Sequence, residues 1–456
     1  MTGLIILFLL VALLLVGMPV SIALGLTVLT FLFAMTSVPL DAIALKLFTG
    51  LEKFELMCIP FFVLAGMFMT HGGVAKRMIR FATAMTGHWP GGLALASVVA
   101  CAIFAAVSGS SPATVVAIGA IMIPAMAAQG LPKPFAAGVI ASGGVLGILI
   151  PPSIVMVLYS VATSGMIAEG PDGGRVHGAS VGDLFMAGVV PGIVLAALLA
   201  LTTLWIAWRR NYPRGERQPW SERLSSFVDC FWGLALIVIV MGGIYGGVFT
   251  PTEAAAVSAV YAFFVAVYVY KDLTLKEVPR VLLASASMSA MLLYIITNAV
   301  LFTFLLTHEQ IPQALAAWII EQGFGRIEFL LVVNIILMIA GAVMEPASVM
   351  LILAPILFPV AMALGVDPVH FGIILVVNME IGMLTPPVGL NLYVASGISR
   401  LGLMTLSRAV LPTVLRGMMD PSAADQVAAN LGAVAVYLLM AVILAIRPQG
   451  LFPRHA

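Results

Sequence analysis

The chain reads as a succession of long apolar stretches divided by short polar ones. Leu4 to about Phe33 is apolar and is interrupted by Gly17-Met18-Pro19, so it forms either two pieces or one kinked helix. Asp41 to Glu55 is a more polar connection, and Ile59 to Met69 resumes the apolar pattern as far as His71-Gly72-Gly73. Lys76, Arg77 and Arg80 then fall on an amphipathic segment suited to a membrane surface. It ends at His88-Trp89-Pro90-Gly91-Gly92, a turn with an interfacial aromatic. Spans are predicted at Leu184–Trp208 and Phe231–Phe249, and Val281–Leu306, Ile311–Gln322 and Phe329–Val343 are three further apolar stretches. Polar sequence between Glu169 and Asp183 predicts a surface loop. Arg209, Arg210, Arg214, Arg217 and Arg223 cluster against only Glu216 and Glu222, which predicts a cytoplasmic loop. Thr250-Pro251-Thr252-Glu253 has the form of a helix start, with Glu253 as its N-terminal acid.

Two stretches break this pattern in the same way. One ends in Gly147-Ile148-Leu149-Ile150-Pro151-Pro152 and the other in Gly382-Met383-Leu384-Thr385-Pro386-Pro387, with matching residues 235 positions apart. Pro124 and Pro359, and Gly130 and Gly365, keep that offset, while Pro112 and Pro346 slip by one. Upstream of the first double proline, Leu93–Val107 and Ala113–Ala128 flank Ser108-Gly109-Ser110-Ser111-Pro112. Each leg has about 15 residues, or roughly 22 Å of helix, against about 30 Å of hydrocarbon. Two short legs with a Ser/Gly/Pro tip predict a re-entrant hairpin, followed by a helix broken at the double proline. The second copy repeats this, with its tip at Met344-Glu345-Pro346-Ala347-Ser348.

Composition decides the class. Hydrophobic residues make up 62% and charged residues 9%, where a soluble domain carries about 25% charged. The stretch 93–132 has no Asp, Glu, Lys or Arg. The expectation is an all-α polytopic membrane protein. A β-barrel would alternate polar and apolar positions. The N-terminus lacks a basic start and a small-residue cleavage site and is expected to be a retained helix. A net charge of +1 leaves no basic face for nucleic acid. Cys58, Cys101 and Cys230 are scattered and suit core positions. His71, His88, His308 and His370 occur singly and suit interface or capping roles better than metal ligation. There is no phosphate-binding loop and no nucleophile–base constellation, so no enzyme activity is expected.

Broken helices expose backbone groups that lipid cannot satisfy, and transporters use such groups to hold ions and anions. The hydroxyls of Ser108, Ser110, Ser111, Thr114, Ser348 and Thr385 are placed to add to those carbonyls. Serines also pack helices together in membranes, but two matched copies favour a site. Glu380 lies inside an apolar helix six residues before Pro386. It is equally a functional carboxylate and a buried, hydrogen-bonded one. Glu345 at the second tip can simply stabilise the following helix.

Several motifs resemble the DctM-like large membrane subunit of tripartite ATP-independent periplasmic (TRAP) transporters. They are Val107 to Thr114, Gly147 to Ser153, Gly242 to Ala255, Met344 to Ser348 and, most specifically, Asn378 to Asn391. The resemblance covers roughly residues 1–412. It implies an elevator-type transporter with two inverted repeats. Residues 1–92 would be scaffold helices. Residues 93–165 would form the first transport repeat, with hairpin 93–128 and broken helix 134–165. Residues 166–328 would be loop, scaffold and connector, and 329–399 the second repeat, with hairpin 329–364 and broken helix 369–399. It implies no cofactor and Na⁺ as the coupling ion. The partners would be a small four-helix membrane subunit and a periplasmic substrate-binding protein, the cargo a small carboxylate, and the location the bacterial inner membrane. One Na⁺ site would use Ser108, Gly109, Ser110 and Ser111 with Gly144 and Gly147. The other would use Glu345 and Ser348 with Thr385 and Gly389, gaining a side-chain ligand in Thr385 where the first break has Ile150. Substrate would lie between the tips, at Ser111, Thr114, Pro152, Pro387 and Asn391.

Residues 169–179 look longer than in that family. Residues 400–456 are atypical, and Ala435 to Phe452 resembles the end of a branched-chain amino-acid ABC permease. A stand-alone divalent-anion/Na⁺ symporter is the nearest alternative, and a permease subunit of an ATP-driven importer a more distant one.

Overall fold

The computed structural model describes residues 2–35 and 39–410. The C-terminal stretch, including the permease-like segment and its expected helix, lies outside them. Among the described residues, eight helices are long and apolar enough to cross a membrane. The first apolar stretch is two helices, Thr2–Leu15 and Val20–Met35, because Gly17 takes a positive φ and Pro19 follows.

Outside the repeats, Val278–His308 runs against Val20–Met35, Leu40–Leu51 and Cys58–His71, and Cys58–His71 packs along Pro251–Phe264. Thr250 caps that last helix. Its hydroxyl accepts from Glu253 N, and the Glu253 carboxylate accepts from Thr250 N at 2.8 Å, the reciprocal arrangement that fixes a helix start. The amphipathic segment is Val74–Thr86, lying on Trp220–Tyr245. Arg80 bonds Glu222 and Asp229 across this contact, and Arg77 pairs with Asp272 while lying 3.8 Å from the Tyr270 ring centroid.

Two readings of the sequence need correction. The span expected at Phe231–Phe249 is Trp220–Tyr245. Pro219 opens it early, and the ion pairs to Arg80 hold its charged first turns in the helix. Arg223 therefore leaves the arginine-rich loop and is 8% exposed. The polar stretch after Met166 is a short hairpin, Ile167–Glu169 paired with Arg175–His177, turning through Gly173 at φ +72°. Three-residue strands are too short for alternation to reveal them.

The repeats form the centre. The first hairpin is Gly92–Ser108 and Ser111–Ala128, and the second is Arg326–Val343 and Pro346–Ala363. The legs are longer than expected, at 17 or 18 residues. Ser108 and Ser111 stay helical, leaving only Gly109 and Ser110 at the first tip and Met344 and Glu345 at the second. At the first tip Gly109 is buried and Ser110 half-buried, as befits a re-entrant tip. The broken helices are Lys133–Gly144 with Leu146–Leu149, then Ile154–Thr163, and Pro368–Gly382, then Leu390–Ser399. Pro151-Pro152 and Pro386-Pro387 both hold cis peptide bonds. The copies exchange their last helices. Ile154–Thr163 packs on the second hairpin's Pro346–Ala363, and Leu390–Ser399 packs on the first hairpin's Ser111–Ala128.

Candidate functional site

Each break seats on the hairpin tip of its own copy. In the first copy Ile154 N donates to Gly109 O at 3.5 Å, and a Cβ on Gly109 would lie 2.6 Å from Pro152 O. A Cβ on Gly147 would lie 2.6 Å from Ser110 O. In the second copy Val388 N and Gly389 N donate to Ala342 O at 3.2 and 3.1 Å, and a Cβ on Gly382 would lie 2.6 Å from the Gly341 backbone. Gly147 and Gly382 match in the repeat. Both stand where backbone meets backbone and no side chain fits.

The first tip gathers hydroxyls. Ser108 Oγ lies 2.9 Å from Thr114 Oγ1 and donates to Ser110 O at 3.3 Å. Thr114 Oγ1 donates to Ser110 O at 2.9 Å. Three neutral oxygens thus converge without a charge among them. Hard oxygen donors of this kind suit an alkali cation once the hydroxyl protons turn away. Ser111 points elsewhere and donates to Gly144 O at 2.8 Å. Asn391 Nδ2, from the other repeat, donates to Ser111 Oγ at 2.7 Å and to Ala141 O at 3.3 Å, while its Oδ1 is buried without a partner. Ser153 caps the helix beyond the break, accepting from Met156 N at 3.4 Å and donating to Ile148 O.

The second site is built differently. Ser348 Oγ donates to Glu345 Oε1 at 3.0 Å. Thr385 Oγ1 donates to Ile381 O of the preceding helix at 2.7 Å. The backbones around the two prolines also differ: Pro151 and Pro152 are buried, Pro386 and Pro387 exposed. The structure therefore brings Ser108, Gly109, Ser110, Thr114, Gly147 and Pro152 to one place and Gly389 to the second hairpin. Ser111, Gly144 and Asn391 form a link between repeats.

Three supporting residues escape a reading of the sequence. Lys53 Nζ donates to Val161 O and Ser164 O, both at 3.0 Å, at the C-terminal end of Ile154–Thr163. Burial pushes its amine below the usual lysine range, against the opposing influence of Glu55. Asn378 Nδ2 bonds Asn334 Oδ1 at 2.5 Å across the second copy. Tyr159 OH donates to Pro368 O at 2.7 Å between copies. Two asparagines in apolar runs were the only signal available for any of them. Of the histidines, His71 and His308 end helices and His88 accepts from Trp89 Nε1 at 2.8 Å. Among the described residues no group of three His, Cys, Asp or Glu is placed to hold a metal ion.

Duplicated hairpins, paired breaks and an apolar helical exterior define a multi-pass membrane transporter. The fold resembles the crystal structure of the Alcanivorax borkumensis YdaH transporter, with a TM-score of 0.55, 17% identity and coverage of 88% of this chain and 90% of that one. Residues 7–419 match the family described as tripartite ATP-independent periplasmic transporter, DctM component. The chain belongs to that family. It is 68% identical to the C4-dicarboxylate TRAP transporter large permease protein DctM of Rhodobacter capsulatus, over 91% of this chain and 94% of that protein. It is 53% identical to the protein of the same description in Pseudomonas aeruginosa, over 82% of this chain and 84% of that one.

Proposed function

We propose that this chain is the large permease of a Na⁺-coupled importer of C4-dicarboxylates. The observation that carries the substrate class is the 68% identity to the Rhodobacter capsulatus protein described as a C4-dicarboxylate permease. Membership of a tripartite family supports two partners, a small membrane subunit and a periplasmic protein that delivers substrate. The setting would be the bacterial inner membrane.

The geometry supports Na⁺ as coupling ion. The first site would be Ser108 Oγ, Thr114 Oγ1 and the carbonyls of the tip, Gly109 and Ser110, closed by Gly147. The second would draw on Glu345, Ser348, Gly389 and, once it turns from Ile381 O, Thr385. Na⁺ at the tips would draw these carbonyls and hydroxyls together, and so prepare the space between the tips for an anion. Two carboxylates on a substrate suit two helix N-termini, those of Ser111–Ala128 and Pro346–Ala363. Residues 93–165 and 329–399 would move together as the transport unit against the remaining helices, in an elevator motion.

The test is uptake of radiolabelled succinate into proteoliposomes holding this chain, its small subunit and the binding protein. Uptake in Na⁺ and loss of uptake in choline are expected. Equal uptake in choline contradicts the coupling, and uptake without the binding protein contradicts the tripartite reading.

A further inference from the structure

The duplication provides an internal control for each residue of the breaks. At the offset that matches Gly382 with Gly147 and Pro386 with Pro151, Glu380 matches Val145. Val145 is 4% exposed and Glu380 2%. An aliphatic side chain therefore serves this place in one copy, and building the break does not require a carboxylate.

Glu380 Oε1 is buried with no hydrogen-bond partner. An ionised carboxylate held in that way costs several kcal/mol, whereas the neutral acid does not carry that penalty. Most charges on the surrounding elements are distant along their helices, and Glu345 is nearer, four residues past Gly341, which meets Gly382. Arg326 and Glu328 begin the helix that runs alongside, where Phe329 stacks on Phe371, nine residues or roughly 14 Å before Glu380. Tyr159 meets Gly372, about 12 Å away along the helix. Asp183 precedes Leu184, which also meets Gly372, and Arg209 ends that helix far beyond Gly192, which meets Ile150. Pro346–Ala363 and Leu146–Leu149 carry no titratable group. Glu345, at the second tip, accepts from Ser348. On its own helix, His370 is about 15 Å away. Access is nonetheless close. Along the chain Glu380 lies six residues before Pro386, and Pro386, Pro387 and Val388 are exposed while Gly382 and Met383 are buried.

We propose that Glu380 is a proton-binding site of the transport cycle, opened and closed by the second break. The carboxylate takes a proton from water on the side where substrate enters, crosses enclosed as the neutral acid, and returns the proton to water on the other side. This goes beyond Na⁺ coupling. Its transport arm rests on the reading above, but its spectroscopic arm does not.

The spectroscopic arm is infrared titration of the purified chain in lipid. A protonated-acid carbonyl band at neutral pH is expected in the unaltered protein and absent in Glu380→Gln. Identical spectra for the two proteins overturn the proposal. Glu380→Val, the residue of the first copy, is expected to fold, and its failure to fold overturns the claim that the carboxylate is not structural. The transport arm follows luminal pH in proteoliposomes with the partner proteins. Acidification that accompanies succinate uptake and is lost in Glu380→Gln is expected. Uptake by the unaltered protein with no luminal pH change overturns proton coupling. Complete absence of uptake counts against the proposed function, and the infrared result still decides the state of Glu380.

Discussion

At the scale of residues, closeness of backbone is the controlling feature. Gly147→Ala would put a methyl group 2.6 Å from Ser110 O, and Gly382→Ala would do the same against Gly341. Neither neighbour is a flexible side-chain end. Both substitutions should separate a break from its tip and abolish uptake while the protein still inserts, as checked by transport assay beside membrane quantification. Gly130→Ala provides a contrast, since nothing lies within 4 Å of its added Cβ. Its φ of +89° predicts strain of about 1 kcal/mol with uptake retained. Asn391→Ala removes the donor to Ser111 and Ala141, and loss of a buried hydrogen bond of this kind costs about 1–3 kcal/mol. A lowered midpoint in thermal unfolding of the purified protein is the expected sign.

At the scale of elements, the exchange of last helices ties the two copies into one body. Lys53 joins this body to the helices around it through the carbonyls of Val161 and Ser164. Lys53→Met keeps the aliphatic stem and removes the donor. It should fray the end of Ile154–Thr163, visible as faster amide exchange at residues 161–164. Much of this organisation was legible in the sequence. Double prolines in apolar runs can only mark breaks, and Ser-Gly-Ser-Ser-Pro between two short legs can only be a tip. The exchange was not legible, because helices of the two copies meet over long separations that periodicity does not encode. Nor was the inward turn of Ser111 toward Gly144, since a serine in a tip motif carries no sign of the direction it faces. The early start of Trp220–Tyr245 was hidden by its charges, which find their partners on Val74–Thr86.

At the scale of the whole molecule, two nearly matched sites differ in charge and in closure. The first tip is neutral and enclosed, while the second carries Glu345 and ends in an exposed break. The proposed Na⁺ at the first tip is held by neutral hydroxyls and carbonyls alone, so its binding depends on every oxygen present. The most direct measurement is the Na⁺ concentration that gives half-maximal uptake in proteoliposomes, compared between the unaltered chain and Thr114→Val. Valine keeps the shape and removes Oγ1 from the cluster with Ser108 and Ser110. A rise of about tenfold or more, equal to about 1.4 kcal/mol, is predicted, and an unchanged half-maximal Na⁺ concentration would contradict Na⁺ binding at this tip.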